Sequence, residues 1–147
     1  MRRIDLIVIH CSATREDRPF TEQDLETAHR LRSFDGIGYH FYVRRNGDIK
    51  STRLVERVGA HVRGHNANSI GICYEGGLDC HGVAKDTRTE WQRHSLRVLV
   101  RALKMDYPEA RVVGHRDLSP DVNGNGEVEP IEWTKECPCF KVREEEW

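Results

Sequence analysis

The chain has 147 residues, 37% of them hydrophobic and 32% charged, which suits one modest core and leaves no room for two comfortable domains. Its 23 Lys+Arg against 24 Asp+Glu leave a formal charge of −1, which argues against a nucleic-acid binder with its basic excess. No apolar run approaches the roughly 20 residues of a membrane helix. Asp5 interrupts the opening segment before it reaches the apolar stretch of about 7–15 residues that a signal peptide needs. A single domain, made in the cytoplasm without a signal peptide, is expected.

Residues 4–9 form an apolar, β-branched run suited to a strand buried on both faces, with His10 at its C-terminal end. Thr21-x-x-Asp24 is a capping box with a short acid, and Leu25, Ala28, His29 and Leu31 follow at helical spacing. They predict a helix over about 21–33 that stops at Asp35-Gly36. Residues 39–44 alternate as a strand, Asn46-Gly47 signals a two-residue hairpin turn, and 49–53 is the returning strand. Residues 54–68 have no period and are dense in Gly, His and Asn, which marks a long functional loop. Residues 69–74 read as a further strand ended by Gly76-Gly77. Leu96, Leu99, Val100 and Leu103 define a helix that starts near Thr87 or Thr89 and ends before Pro108. Residues 111–114 form a last strand that delivers His115 at its tip. This alternation predicts an α/β domain with a central mixed sheet flanked by helices and a site at the strand C-terminal ends.

Five cysteines and eight histidines, with no export signal, favour thiols or metal ligands over a disulfide framework. His10 and His115 each cap a predicted strand, and Cys137 follows in Lys-Glu-Cys-Pro-Cys-Phe. Two imidazoles and a thiolate would leave a tetrahedral zinc ion one open position, as in catalytic sites. Spacing alone favours the plainer reading of each, a capped strand-end histidine or a buried thiol, since residues so far apart make no local motif.

Five segments occur in order: His10-Cys11-Ser12-Ala13-Thr14, Ile37-Gly38-Tyr39-His40-Phe41, Asn68-Ser69-Ile70-Gly71-Ile72, Gly114-His115-Arg116-Asp117 and Lys135-Glu136-Cys137-Pro138. Together they resemble the type-2 N-acetylmuramoyl-L-alanine amidases, a zinc family that includes phage amidase-type lysozymes and peptidoglycan recognition proteins. The resemblance implies that His10, His115 and Cys137 are zinc ligands and that Tyr39 and Lys135 stand in the active site. It implies that His61 and Asn66 lie in the groove that touches the glycan–peptide substrate. A muropeptide-recycling branch carries aspartate in place of Cys137, glutamate in place of Cys73, and no tyrosine at 39. The sequence therefore resembles the lysozyme and recognition-protein branch.

The implied function is a monomeric zinc amidase that hydrolyses the bond between the lactyl group of N-acetylmuramic acid and L-alanine, reaching the wall by release or by another export system. A non-catalytic peptidoglycan-binding module on the same fold is the alternative, although Cys137, typically lost in such modules, is present. A thiol hydrolase using Cys137 with a histidine base is a third reading.

One segment adds something the family pattern does not require. Residues 121–132 match the calcium-loop pattern D-x-[DN]-x-[DN]-G-x₅-E. Asp121, Asn123, Asn125, the Glu127 carbonyl and Glu132 are the expected ligands of a calcium ion, with Gly126 at the sharp turn. An Asn-Gly-rich hairpin insertion is the plainer reading of the same residues.

Overall fold

Strand β1 (Leu6–Cys11) is buried along its whole length, so the chain must cover it on both faces and both edges. In this computed structural model, which describes residues 2–130, 133 and 135–147, that covering builds the domain. Short strands β2 (Thr14–Arg15), β3 (Phe41–Val43) and β4 (Ile49–Ser51) follow, then β5 (Ser69–Tyr74), β6 (Gly77–Leu78) and β7 (Arg111–Gly114), with helices α1 (Glu22–Leu31) and α2 (Glu90–Asp106) between them. The main sheet runs β4-β3-β5-β1-β7, and β2 pairs with β6 separately. All its pairings are parallel except the β3–β4 hairpin, so the mixed α/β sheet expected from the alternation is present.

The pleat of β1 divides the core. Ile7, Ile9 and Cys11 pack with Ile70, Ile72 and Tyr74 against Leu96, Leu99, Val100 and Leu103 of α2. Leu6 and Val8 face the other way, onto Val62 and Val113. On that second face Leu25 of α1 packs with Ile37, Tyr42 and Cys73. His10 shares the parity of Leu6 and Val8, so it emerges beneath the long 54–68 loop and not beneath α2.

Both helices begin where their sequences say. Thr21 and Asp24 close a reciprocal capping box on α1, and Thr89 and Gln92 do the same on α2. Of the two threonines that could start α2, Thr87 is used elsewhere: its hydroxyl accepts the Gly77 N–H at 2.7 Å. Helix α1 stops earlier than the pattern predicts, because Ser33 turns left-handed at φ 67°. The β3 ladder is shorter than residues 39–44. The His40 ring intrudes on it, its Nδ1 accepting the Gly71 N–H at 3.0 Å, while the His40 N–H reaches the Gly71 carbonyl at 2.9 Å. The hairpin after β3 does turn at Gly47 with φ 92°, but Asn46 is not left-handed and the Gly47 N–H donates to the Arg44 carbonyl at 2.9 Å, so the connection is longer than the two-residue turn that Asn-Gly predicts. Among the described residues, no helix is long and apolar enough to cross a membrane.

Candidate metal centre and its cleft

Strand register brings the two predicted histidines together. Ile9 pairs with Gly114, so the residues that follow, His10 and His115, leave adjacent parallel strands side by side. Their rings are T-shaped with centroids 4.8 Å apart. Gly114 also lets the C-terminal segment close in, since a Cβ there would meet the Pro138 ring at 2.8 Å. That segment is then held at several points. The Tyr74 hydroxyl donates to the Pro138 carbonyl at 2.5 Å, and the Arg116 N–H donates to the Cys137 carbonyl at 3.0 Å. The Cys137 sulfur accepts the Cys11 N–H at 3.2 Å.

The result is a group that can hold a metal ion: ligand atoms of His10, His115 and Cys137 all lie within 4.8 Å of one another. The fit is more than proximity. His10 is fully buried, yet its Nδ1 has no hydrogen-bond partner, an expensive arrangement for a polar atom unless a ligand completes it. Burial, with the neighbouring His61, His115 and Lys135 charges, holds the His10 pKa well below its usual value. Burial and then Lys135 lower His115 to about 4. Both imidazoles are therefore neutral at pH 7, the form that binds metals. Two nitrogens and a sulfur, with a cleft on the fourth side, is the donor chemistry of a catalytic zinc site.

The cleft has a volume of about 770 Å³. Tyr39 stands on its wall with its ring 4.8 Å from that of His10. Burial, and then the thiols of Cys73, Cys137 and Cys11, push the Tyr39 pKa well up, so its phenol stays a proton donor. Lys135 is exposed at the rim, close enough for its charge to bear on both His10 and His115. Arg32, Arg63 and Lys135 line the cleft, and no carboxylate does so among the described residues.

His61 and Asn66 also line it, and both are tied into the structure. The Asn66 Oδ1 accepts the backbone N–H groups of His61 and Val62, each at 2.9 Å. The His61 ring sits 2.8 Å from His10, nitrogen to nitrogen, a contact that sequence reasoning did not supply. Its only sequence signal is position in a histidine-rich loop opposite a strand tip. Arg116 lies over the Trp133 ring at 3.8 Å, and Asp117 accepts the Gly114 N–H at 2.7 Å. These two residues brace the turn that carries His115. Cys11 and Cys139 pack with sulfurs 4.0 Å apart.

In the insertion, Asp121 accepts the Gly124 and Gly126 N–H groups at 3.1 and 2.8 Å. Asn123 and Asn125 likewise accept from Asn125 and Glu127, at 3.1 and 2.9 Å. The side-chain amides of both asparagines donate to the Glu129 carboxylate. The expected last calcium ligand, Glu132, lies outside the described residues.

A mixed α/β sheet whose two strand-tip histidines meet a cysteine of the C-terminal segment is a fold with a candidate metal site. The chain matches the N-acetylmuramoyl-L-alanine amidase family (Amidase_2) over residues 1–139 and belongs to it. It is 32% identical over 137 residues to the endolysin of Klebsiella phage KP32, covering 93% of this chain and 82% of that protein. The N-acetylmuramoyl-L-alanine amidase LysC of Clostridium intestinale superposes with a TM-score of 0.74 at 29% identity, over 96% of this chain and 80% of that one. Drosophila PGRP-LB, solved in complex with tracheal cytotoxin, shares the fold at a TM-score of 0.72 and 19% identity, over 97% and 79% of the two chains.

Proposed function

We propose that this amidase-family chain is a zinc-dependent N-acetylmuramoyl-L-alanine amidase that cuts the lactyl–L-alanine amide of peptidoglycan, acting on the wall as a monomer after release or after export by another system. The observation that carries this reading is the convergence of His10, His115 and Cys137 beside the cleft that His115 and Cys137 line, with a buried, unpartnered nitrogen on His10.

His10, His115 and Cys137 would hold a zinc ion, which would supply acidification of water and polarisation of the scissile carbonyl. The protein's own groups do the rest. The amide carbonyl gains negative charge as it is attacked, and preorganised donors at that oxygen lower the barrier. Lys135 brings an ammonium to the rim, and Tyr39 brings a phenol that burial keeps protonated. Arg32 and Arg63 give the cleft a cationic lining with no carboxylate among the described residues, which suits the carboxylates of a stem peptide. His61 and Asn66 are placed on the same wall and would contact the glycan–peptide chain there.

The test is digestion of purified peptidoglycan by zinc-loaded protein, followed by mass analysis of the products. The expected products are peptides with a free L-alanine amine and glycans with intact lactyl carboxylates. Binding to the wall without any new amine would identify a recognition module instead.

We also propose that the 121–132 insertion takes a calcium ion through Asp121, Asn123, Asn125, the Glu127 carbonyl and Glu132, a reading that rests on the spacing of those residues. Only two of the specified side-chain positions are acidic, so the site would be weak, in the range of about 10⁻⁴–10⁻³ M found for extracellular modules. Saturation at a hundredfold excess would stabilise the fold by about 2.7 kcal/mol. Melting of zinc-loaded protein with added calcium should show the rise, and Asp121→Ala should remove it. Identical curves for both proteins with and without calcium would reduce the loop to a plain hairpin.

A further inference from the structure

The His10–His61 contact has a chemical direction that follows from its surroundings. A neutral imidazole has one donor nitrogen and one acceptor nitrogen. His10 Nε2 lies 2.8 Å from His61 Nδ1, and His61 Nε2 lies 3.2 Å from the Ser69 hydroxyl. His10 Nδ1, fully enclosed, faces no partner. If His10 Nδ1 is to offer a lone pair to a metal, its proton must sit on Nε2. That proton is then donated to His61 Nδ1, which forces the His61 proton onto Nε2, where Ser69 Oγ accepts it. The reverse set of tautomers would leave an N–H on His10 Nδ1, buried and unpaired, and no lone pair for an ion.

The ring of His61 has little freedom to do otherwise. A Cβ on Gly71 would come within 2.7 Å of it, and one on Gly59 within 2.8 Å, so two missing side chains make its seat. Its backbone is pinned by the paired bonds from Asn66, and Ser69 is fully buried at the start of β5. The 54–68 loop is thereby coupled to the strand tip that presents His10. Metal-bound histidines depend on such a partner for ring orientation and tautomer.

We infer that His61 is a positioning residue for the metal ligand His10, accepting the His10 Nε2 proton so that Nδ1 is aimed and unprotonated, with Ser69 and Asn66 holding His61 in turn. The inference rests on the reading of His10, His115 and Cys137 as the zinc site.

The test compares His61→Ala with His61→Asn by zinc titration against a chromophoric chelator and by the visible spectrum of the cobalt-substituted protein. Both variants lose ring packing, but only asparagine keeps an acceptor oxygen near the place of Nδ1. The alanine variant should bind zinc about 10–100-fold more weakly with altered cobbalt–ligand bands, and the asparagine variant should return to within a few-fold of wild type. Where alanine does not fold by circular dichroism, His61→Leu takes its place. Equal weakening in both variants would show a packing role only, and wild-type affinity in the variant lacking an acceptor would show no role. Either result overturns the inference while leaving the zinc site standing. Failure of the wild-type protein to bind zinc would overturn the metal reading and this inference together.

Discussion

Cys137→Ser should retain the fold but lose tight zinc binding, and with it on the order of 10³-fold or more of the turnover on peptidoglycan. Of the three donors, only the cysteine sulfur can meet a metal ion as an anion. A serine hydroxyl in its place stays protonated near neutral pH, so the site would keep two neutral nitrogens and a poor third ligand. Losing water activation and carbonyl polarisation removes several kcal/mol of transition-state stabilisation, at about 1.4 kcal/mol for each tenfold in rate. Metal analysis of the purified variant and its rate on wall fragments check both halves. Because a thiol hydrolase would also die with this substitution, the companion measurement is chelation of the wild type. A zinc enzyme should stop and recover when zinc is returned. Activity that survives the chelator but not an alkylating agent would assign the chemistry to the thiol.

Lys135→Ala and Tyr39→Phe should each keep wild-type zinc content and lose about 10²–10³ in kcat, the usual loss on removing one oxyanion donor. The two side chains approach the same region from opposite sources. Tyr39 comes from the stretch before β3, whose carbonyl is tied by Thr52 Oγ1 at 2.8 Å. Lys135 comes from the segment fixed by Tyr74 and Arg116. A donor used mainly in the transition state lowers kcat with little change in KM. Rates equal to wild type on peptidoglycan would reduce both residues to neighbours of the metal group. A drop in zinc content would move Lys135 or Tyr39 from oxyanion donor to support of the site.

Features carried by a few consecutive residues were legible in the chain itself. The capping boxes at Thr21 and Thr89, the Asn46-Gly47 turn and the apolar face of α2 are local, because the atoms that satisfy one another lie within four residues. Of the candidate metal donors, the two histidines were legible only as strand-end residues and Cys137 only as a thiol, and their grouping came from the resemblance and not from spacing. What joins them is the parallel register of Ile9 with Gly114 and the close approach of Pro138 to a glycine that has no side chain to block it. Both contacts join residues distant in the chain, the first of them across more than a hundred positions, and no local pattern encodes which strands become neighbours. The same holds for the late start of the β3 ladder after His40 and for the bond from His10 to His61. Composition and periodicity determined an α/β domain with histidines at its strand tips. Tertiary packing decided which faces those histidines share, because burial leaves a polar ring only those positions where each nitrogen finds a partner or an ion.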